Sequence, residues 1–377
     1  MKRIFIFGQI DDFGGREVEV RNIIKSFDSV FNVYLVSLYY MSSDSIAVKG
    51  VKCEYSNVYS LLYKKNLLLK FLAILSKFFN KSNKPSYFFL ENSISKKIFN
   101  FKVLKTNVLK KEIDKADYVI YCGILDLHIL KDMIEYCNKK NKKIIIRITG
   151  KISKIENYII DQLKGKCQIL VHSESNSKIL FSNNITNVKI IDQTTLQEKE
   201  LLEIPISNNR KCVFGYLGRF SKEKGILELL EIFKNSKFEI KVAGNGPLKD
   251  DVFDLIEKKE NFLGELKQND LINFFSSIDV LIIPSFEEAG PLVGIEAMAA
   301  GKIIFSTKVG AMQERLKATK NNFWFDILQK DTLIQLIRIV DNMDEEVKDE
   351  ICESNRKVYQ AKYSLEQNKK AYLSLFQ

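Results

Sequence analysis

The chain has 377 residues, 46 % hydrophobic and 28 % charged, a balance that excludes an intrinsically disordered polymer. With only 5 prolines it holds no long polyproline segment, and no uncharged apolar run reaches the 18 residues a spanning helix needs. The net charge is +11, and residues 59–115 carry nearly all of it, with 13 lysines, no arginine and 3 acids. An excess so localised points to an anionic partner surface rather than to general solubility.

At roughly 100–200 residues per domain the length predicts two domains. Residues 3–7 (RIFIF) form the first buried strand, and nothing before them reads as a signal peptide. A loop over 8–15 ends in the pair Gly14-Gly15, and a helix is expected from about Arg16. The pair lets backbone approach a phosphate or sugar, but the loop is not a G-x-G-x-x-G fingerprint, which counts against NAD. Further apolar runs at 33–36, 118–121 (YVIY), 144–148 (IIIRI) and 169–171 alternate with helical patterns such as 130–140. Near-continuous apolar strands alternating with helices predict a doubly wound parallel sheet.

A polar stretch at 197–211, with Pro205 and Ser207-Asn208-Asn209, reads as an interdomain linker. The strand pattern then restarts at Val213–Leu217, Glu239–Ala243, Val280–Ile283 and Ile303–Ser306. The expected fold is therefore α/β, with two Rossmann-like domains whose parallel sheets face a central cleft. The expected boundaries are 1–205 for the first domain, 206–358 for the second, and 359–377 for a closing helix that packs back on the first.

The six cysteines are scattered without a C-x-x-C or a zinc-like spacing to histidine, so Cys122, Cys167 and Cys212 read as buried thiols in a reducing cytoplasm. The two histidines, His128 and His172, read as structural or surface residues.

Four segments carry candidate chemistry. In 280–301 (VLIIPSFEEAGPLVGIEAMAAG) a buried strand ends at Pro284, a loop holds Ser285, Glu287, Glu288 and Gly290, and a helix starts near Pro291 and stops at Gly301. The helix N-terminus offers N–H groups to a phosphate, and Gly290, Pro291, Leu292 and Val293 are placed to present backbone groups there. Glu296 is placed to accept two bonds from a ribose diol, and Glu288 to hold sugar hydroxyls. In 215–225 (GYLGRFSKEKG) Arg219 and Lys224 are placed to neutralise a diphosphate. In 242–247 (VAGNGP) a strand runs into a glycine-rich turn with Asn245 and Gly246. The fourth is the Gly14-Gly15 loop. Taken singly, each has a plain reading: solvated glutamates, exposed cations, or an ordinary turn.

Together the strings P-S-x-x-E, P-L-V, E-A-M-A-A-G, G-R-x-x-x-x-K-G and G-x-G-P resemble the signature of the family-4 retaining glycosyltransferases of the GT-B fold. The resemblance is dense over about 215–310 and, before that, rests on strand order and the Gly14-Gly15 loop. It implies a hexosyltransferase moving a sugar from a nucleotide-diphosphate donor, with Arg219 and Lys224 at the diphosphate and Glu288 at the donor sugar. It implies that Glu296 meets the ribose and that the backbone of 261–266 (NFLGEL), ending at Leu266, edges the base. It implies no metal and no cofactor beyond the donor. Many members carry a His-Gly pair where this chain has Thr149-Gly150; Arg147 and Asp126 are alternatives for facing the cleft there.

Within the basic segment, Asn66, Lys70, Ala73, Lys77 and Asn80 recur at helical spacing, and the rest of that helix, Ser76 apart, is Leu, Ile and Phe. Such a helix can lie in an anionic membrane interface or be an ordinary core helix with solvated lysines. The expected partners are the donor, a glycan or lipid-linked acceptor of cell-envelope polysaccharide synthesis, and the anionic membrane surface. Nucleic acid is not expected. The expected location is cytoplasmic, with a peripheral position on the inner membrane face as a candidate. A nucleotide-sugar epimerase or a non-catalytic sugar-nucleotide or polysaccharide binder are the rival readings.

Overall fold

The computed structural model describes residues 1–125, 128–165, 167–206, 212–234, 236–267 and 270–376. Asp126 and the Ser207-Asn208-Asn209 run lie outside the described residues. Seven strands form the first sheet: β1 (Arg3–Gly8), β2 (Asn32–Ser37), β3 (Glu54–Asn57), β4 (Tyr118–Gly123), β5 (Lys143–Ile148), β6 (Gln168–Val171) and β7 (Val188–Ile190). Their order is β3-β2-β1-β4-β5-β6-β7, parallel throughout. Side chains alternate across each strand, so Ile4 and Ile6 enter one apolar cluster while Phe5 and Phe7 enter another on the opposite face. Burial on both faces is why the central strands of this sheet are apolar at most positions.

Six strands form the second sheet: β8 (Val213–Leu217), β9 (Glu239–Ala243), β10 (Phe262–Gly264), β11 (Val280–Ile283), β12 (Ile303–Ser306) and β13 (Phe323–Trp324). They run parallel in the order β10-β9-β8-β11-β12-β13. Phe214, Val280 and Ile282 pack into one cluster and Leu281 and Ile283 into the other.

The chain divides into a first unit of residues 1–171, 176–191 and 369–377, and a second of 172–175 and 192–368. The reading of 197–211 as a linker is corrected by this division. The helix Glu198–Leu202 belongs to the second unit, where Leu201 and Ile204 are buried against Ile295 and Ala299, and Glu198 accepts from the Tyr359 hydroxyl at 2.7 Å. The passage into the second unit comes at Asp192 instead.

The chain's last residues return to the first unit. After the helix Leu365–Leu373, Phe376 packs edge-on to Phe27, and the Lys143 ammonium donates to the Leu375 carbonyl at 2.6 Å. Within that helix the buried Tyr372 hydroxyl donates to Glu19 at 2.5 Å. Glu19 also pairs with Arg147 at 3.0 Å, and Arg147 donates to the Ile191 carbonyl at 2.6 Å. Arg147 is thus a fully buried structural cation, which corrects the idea that it faces a ligand. His128 stacks on Tyr158 with ring centroids 4.6 Å apart, and His172 is buried. All six cysteines are free thiols; five are buried and Cys53 is half-buried.

Candidate functional site

In the second unit, β8 and β11 are neighbours in space but not in sequence, and the strand order reverses between them. Open parallel sheets bind ligands outside the carboxyl ends of the strands at such a point. Two of the candidate segments leave the sheet there: Gly218-Arg219 after β8 and Pro284-Ser285 after β11. The topology therefore selects the same loops that carry the charged residues.

Glycine lets these loops lie against each other. Gly225 has φ +65°, and a Cβ on it would come within 2.2 Å of the Pro284 carbonyl oxygen. The Phe286 N–H donates to the Glu223 carbonyl at 2.9 Å across the same seam. The 242–247 turn is joined to the first loop in the same way. The Phe220 N–H donates to the Asn245 carbonyl at 2.9 Å, and a Cβ on Gly244 would fall 1.8 Å from the Gly218 carbonyl oxygen.

Three loops thus meet at the switch point, and they place the Lys224 ammonium 2.5 Å from a Glu288 carboxylate oxygen. Ser285 donates to the same oxygen at 3.2 Å. Both charges are mostly buried, so the pair is stronger than a surface ion pair. Arg219 stands exposed on the first loop, and its carbonyl accepts from the Tyr216 hydroxyl at 2.9 Å. Asn245 is committed locally: its amide donates to Glu265 at 2.9 Å and its side-chain oxygen accepts from the Gly246 N–H at 2.8 Å. Leu266 follows β10 half-buried against the apolar cluster that holds Phe275 and Ile283.

The helix Leu292–Ala299 begins with Pro291 as its cap, and Gly301 just beyond it has φ +63°. The N–H groups of its first turn, from Leu292 and Val293, have no acceptor within the helix, which leaves them for an anion. Glu296 lies one turn further on and keeps part of its surface exposed. Burial pushes its carboxyl up to about 7, against the opposing effect of a hydrogen bond from the Thr195 side chain. A carboxyl poised near neutrality changes charge when a ligand offers it donors.

One residue that sequence reasoning missed fixes the start of this helix. Arg315 is fully buried and donates to both oxygens of Asp192, at 2.8 and 2.7 Å, and to the Pro291 carbonyl at 2.6 Å. A Cβ on Gly290 would come within 2.9 Å of the same guanidinium. The guanidinium fork thereby sets the path of Gly290 and Pro291. In the sequence Arg315 sits in the polar run QER, which reads as a solvated helix face.

Gly14 and Gly15 belong to the first unit. Gly14 has φ +140°, and nothing stands within 4 Å of a Cβ built on Gly15. Arg16 beside them donates to the Thr149 hydroxyl at 2.8 Å and to the Gln9 carbonyl at 2.5 Å. Thr149, which stands where many members of the resembled family carry a histidine, is held by this arginine, which ties the end of β5 to the end of β1.

Residues 197–358 match the model of the family described as glycosyl transferases group 1. An uncharacterized glycosyltransferase of Methanocaldococcus jannaschii is 28 % identical over 169 residues, covering 42 % of this chain and 43 % of that protein. The capsular polysaccharide biosynthesis glycosyltransferase CapM of Staphylococcus aureus is 26 % identical over 197 residues, 48 % of this chain and 50 % of that one. The chain thus spans about half the length of these relatives. Among solved structures, HepE of Anabaena in complex with UDP-glucose superposes with a TM-score of 0.71 at 13 % identity, covering 100 % of this chain and 99 % of that one. That likeness identifies the two Rossmann-like units as the GT-B fold.

Proposed function

We propose that this chain, whose residues 197–358 form a glycosyl transferases group 1 domain, is a retaining glycosyltransferase that uses a nucleotide-diphosphate sugar. The observation that carries the reading is the meeting of three loops at the β8/β11 switch point, which pairs Lys224 with Glu288 ahead of the helix that carries Glu296. In this reading the donor's diphosphate lies at the first turn of the helix Leu292–Ala299 and draws on Lys224 and Arg219. The bond between the anomeric carbon and the diphosphate breaks as an acceptor hydroxyl bonds to that carbon on the same face; the hydroxyl's proton leaves with the diphosphate, whose developing charge falls on those two cations. Glu288 gives up part of its hold on Lys224 and accepts from sugar hydroxyls, while Glu296 accepts from the ribose diol. The cations take the part that a divalent ion plays elsewhere, so the transfer runs without metal.

The acceptor is a glycan or a lipid-linked sugar of cell-envelope polysaccharide synthesis, handled by the first unit. The relatives' capsule assignment supports this class. The membrane part of the reading is an anionic surface met by residues 59–115 of a cytoplasmic protein.

Only the ionised form of Glu296 accepts from both hydroxyls of a diol. Binding through it must remove the proton that the empty site holds below about pH 7, so affinity falls as pH drops through that value. A thermal-shift screen over nucleoside diphosphates and their sugars checks this, because a ligand of the folded state raises Tm with its occupancy. One nucleoside diphosphate is expected to raise Tm more at about pH 8 than at about pH 6, and Glu296→Gln to remove both the shift and its pH dependence. Equal shifts at the two pH values in wild type and variant contradict the role given to Glu296.

A further inference from the structure

Ten of the 24 exposed large hydrophobic side chains among the described residues lie between residues 67 and 103. Seven of them are on one helix, Leu67–Phe79, where Leu67 is 81 %, Phe78 77 % and Phe79 78 % exposed. Only Leu69 and Ala73 of that helix are buried, and its ends are fixed by Asn66, which accepts from the Leu69 N–H at 3.0 Å, and by Asn80. The lysine stripe therefore borders the packed side, and the broad apolar face points outward.

At about 100° per residue, Leu67, Leu68, Phe71, Ile74, Leu75, Phe78 and Phe79 span an arc of roughly 140°. Lys70 and Lys77 fall between this arc and the buried face. The short helix Ser93–Ile98 lies alongside, its cap residue Asn92 donating to the Leu72 carbonyl at 3.4 Å, and adds exposed Ile94 and Ile98 with Lys96 and Lys97. An apolar face this wide, edged by cations, is uncommon on a surface bathed only by water.

We propose that the helix Leu67–Phe79 is an in-plane anchor that seats at the headgroup–acyl boundary of a membrane surface rich in anionic phospholipid. Its seven apolar side chains enter the acyl boundary, and Lys70, Lys77, Lys81 and Lys84 reach the headgroup phosphates. This deepens the membrane part of the reading above and is independent of the transfer chemistry. The length decides between lying in and crossing: 13 residues span about 20 Å at 1.5 Å each, short of the roughly 30 Å of a bilayer core. No helix among the described residues is long and apolar enough to cross. Charge decides between lipid and a second copy. A twofold contact would set a segment of 13 lysines and 3 acids against itself, whereas anionic headgroups are attracted by each nearby cation.

The test is sedimentation of the full chain with sucrose-loaded vesicles of phosphatidylcholine alone or with about one third phosphatidylglycerol. Wild type is expected to pellet with the anionic vesicles and to be released as salt rises. Phe78→Ser with Phe79→Ser should weaken partitioning about a hundredfold. Changing Lys70, Lys77, Lys81 and Lys84 to Gln should weaken it comparably on anionic vesicles. Both variants should keep the wild-type Tm and its nucleotide-induced shift, which separates loss of the anchor from loss of the fold or of donor binding. Sedimentation unchanged in both variants overturns the proposal. So does a dimer in light scattering that dissociates on Phe78→Ser with Phe79→Ser while vesicle binding is absent. No nucleotide shift beside intact vesicle binding would leave the anchor standing and count against the donor reading alone.

Discussion

Lys224→Ala is expected to lower kcat by about 10²–10³, with KM for the donor rising as well. Removing one preorganised group that stabilises developing charge has that cost elsewhere. Here the position adds a second effect. Lys224 closes a single 3-10 turn ahead of Gly225, which packs on the Pro284 carbonyl, so the backbone under it is fixed before any ligand arrives. Its ammonium is the partner of Glu288 at 2.5 Å. Alanine leaves that carboxylate facing a diphosphate with no cation between them, and like charges in a partly dry site repel strongly. Lys224→Arg should not rescue, because a planar fork does not fit where a compact ammonium sits against one oxygen. Steady-state kinetics at saturating donor decide the matter; a kcat within fivefold of wild type contradicts the role.

Arg315→Met is the second large effect, and it acts on stability first. The arginine is fully buried, and removing it strands Asp192, whose side chain is only 11 % exposed, without its cation. Breaking a buried pair by deleting one partner costs about 3–5 kcal/mol, which lowers Tm by roughly 10 °C in a protein of this size. The Pro291 carbonyl loses the shorter of its two hydrogen bonds and keeps only that from the Gly294 N–H at 3.1 Å, so the loop that starts the helix Leu292–Ala299 loosens and donor KM rises. A double variant that also carries Asp192→Asn should recover a good part of the lost Tm, since no buried charge remains. Thermal unfolding of the two variants tests this; a Tm loss that simply doubles in the pair contradicts the coupling.

The way Arg315 escaped sequence reading shows where such reading stops. Its ion pair is with Asp192, 123 positions away, and neither residue stands in a pattern that marks it. The same limit applied to strands. The central strands β1, β2, β4, β5, β6, β8, β9, β11 and β12 are apolar at most positions and could be read directly. The four that could not, β3, β7, β10 and β13, are the four sheet edges, where one side lacks a partner and polar residues such as Glu54 or Lys189 are tolerated. Glu198–Leu202 was hidden for a different reason: five residues with three charges look like a linker until Leu201 is seen in the core.

The loops were legible because their constraints are local. Gly225, Gly244 and Gly246 stand where backbone passes too close for a side chain; singly their strings read as ordinary turns, and it is their resemblance as a set to the family signature that marks them. What spacing could not give was the pairing of Lys224 with Glu288 across 64 residues, or the burial that lifts Glu296 toward neutrality.

The central claim is that the second unit's three loops activate a nucleotide-diphosphate sugar for transfer. The most direct measurement is release of nucleoside diphosphate and sugar-bearing product by wild type, Arg219→Ala and Glu296→Ala. It is run over a panel of nucleotide sugars with a lipid-linked acceptor extract, with and without chelator. Wild type is expected to consume one donor, unaffected by chelator, with retained anomeric configuration in the product, and both variants to lose at least a hundredfold in rate. Wild-type turnover in both variants, or donor converted to an epimer without any acceptor, would contradict it.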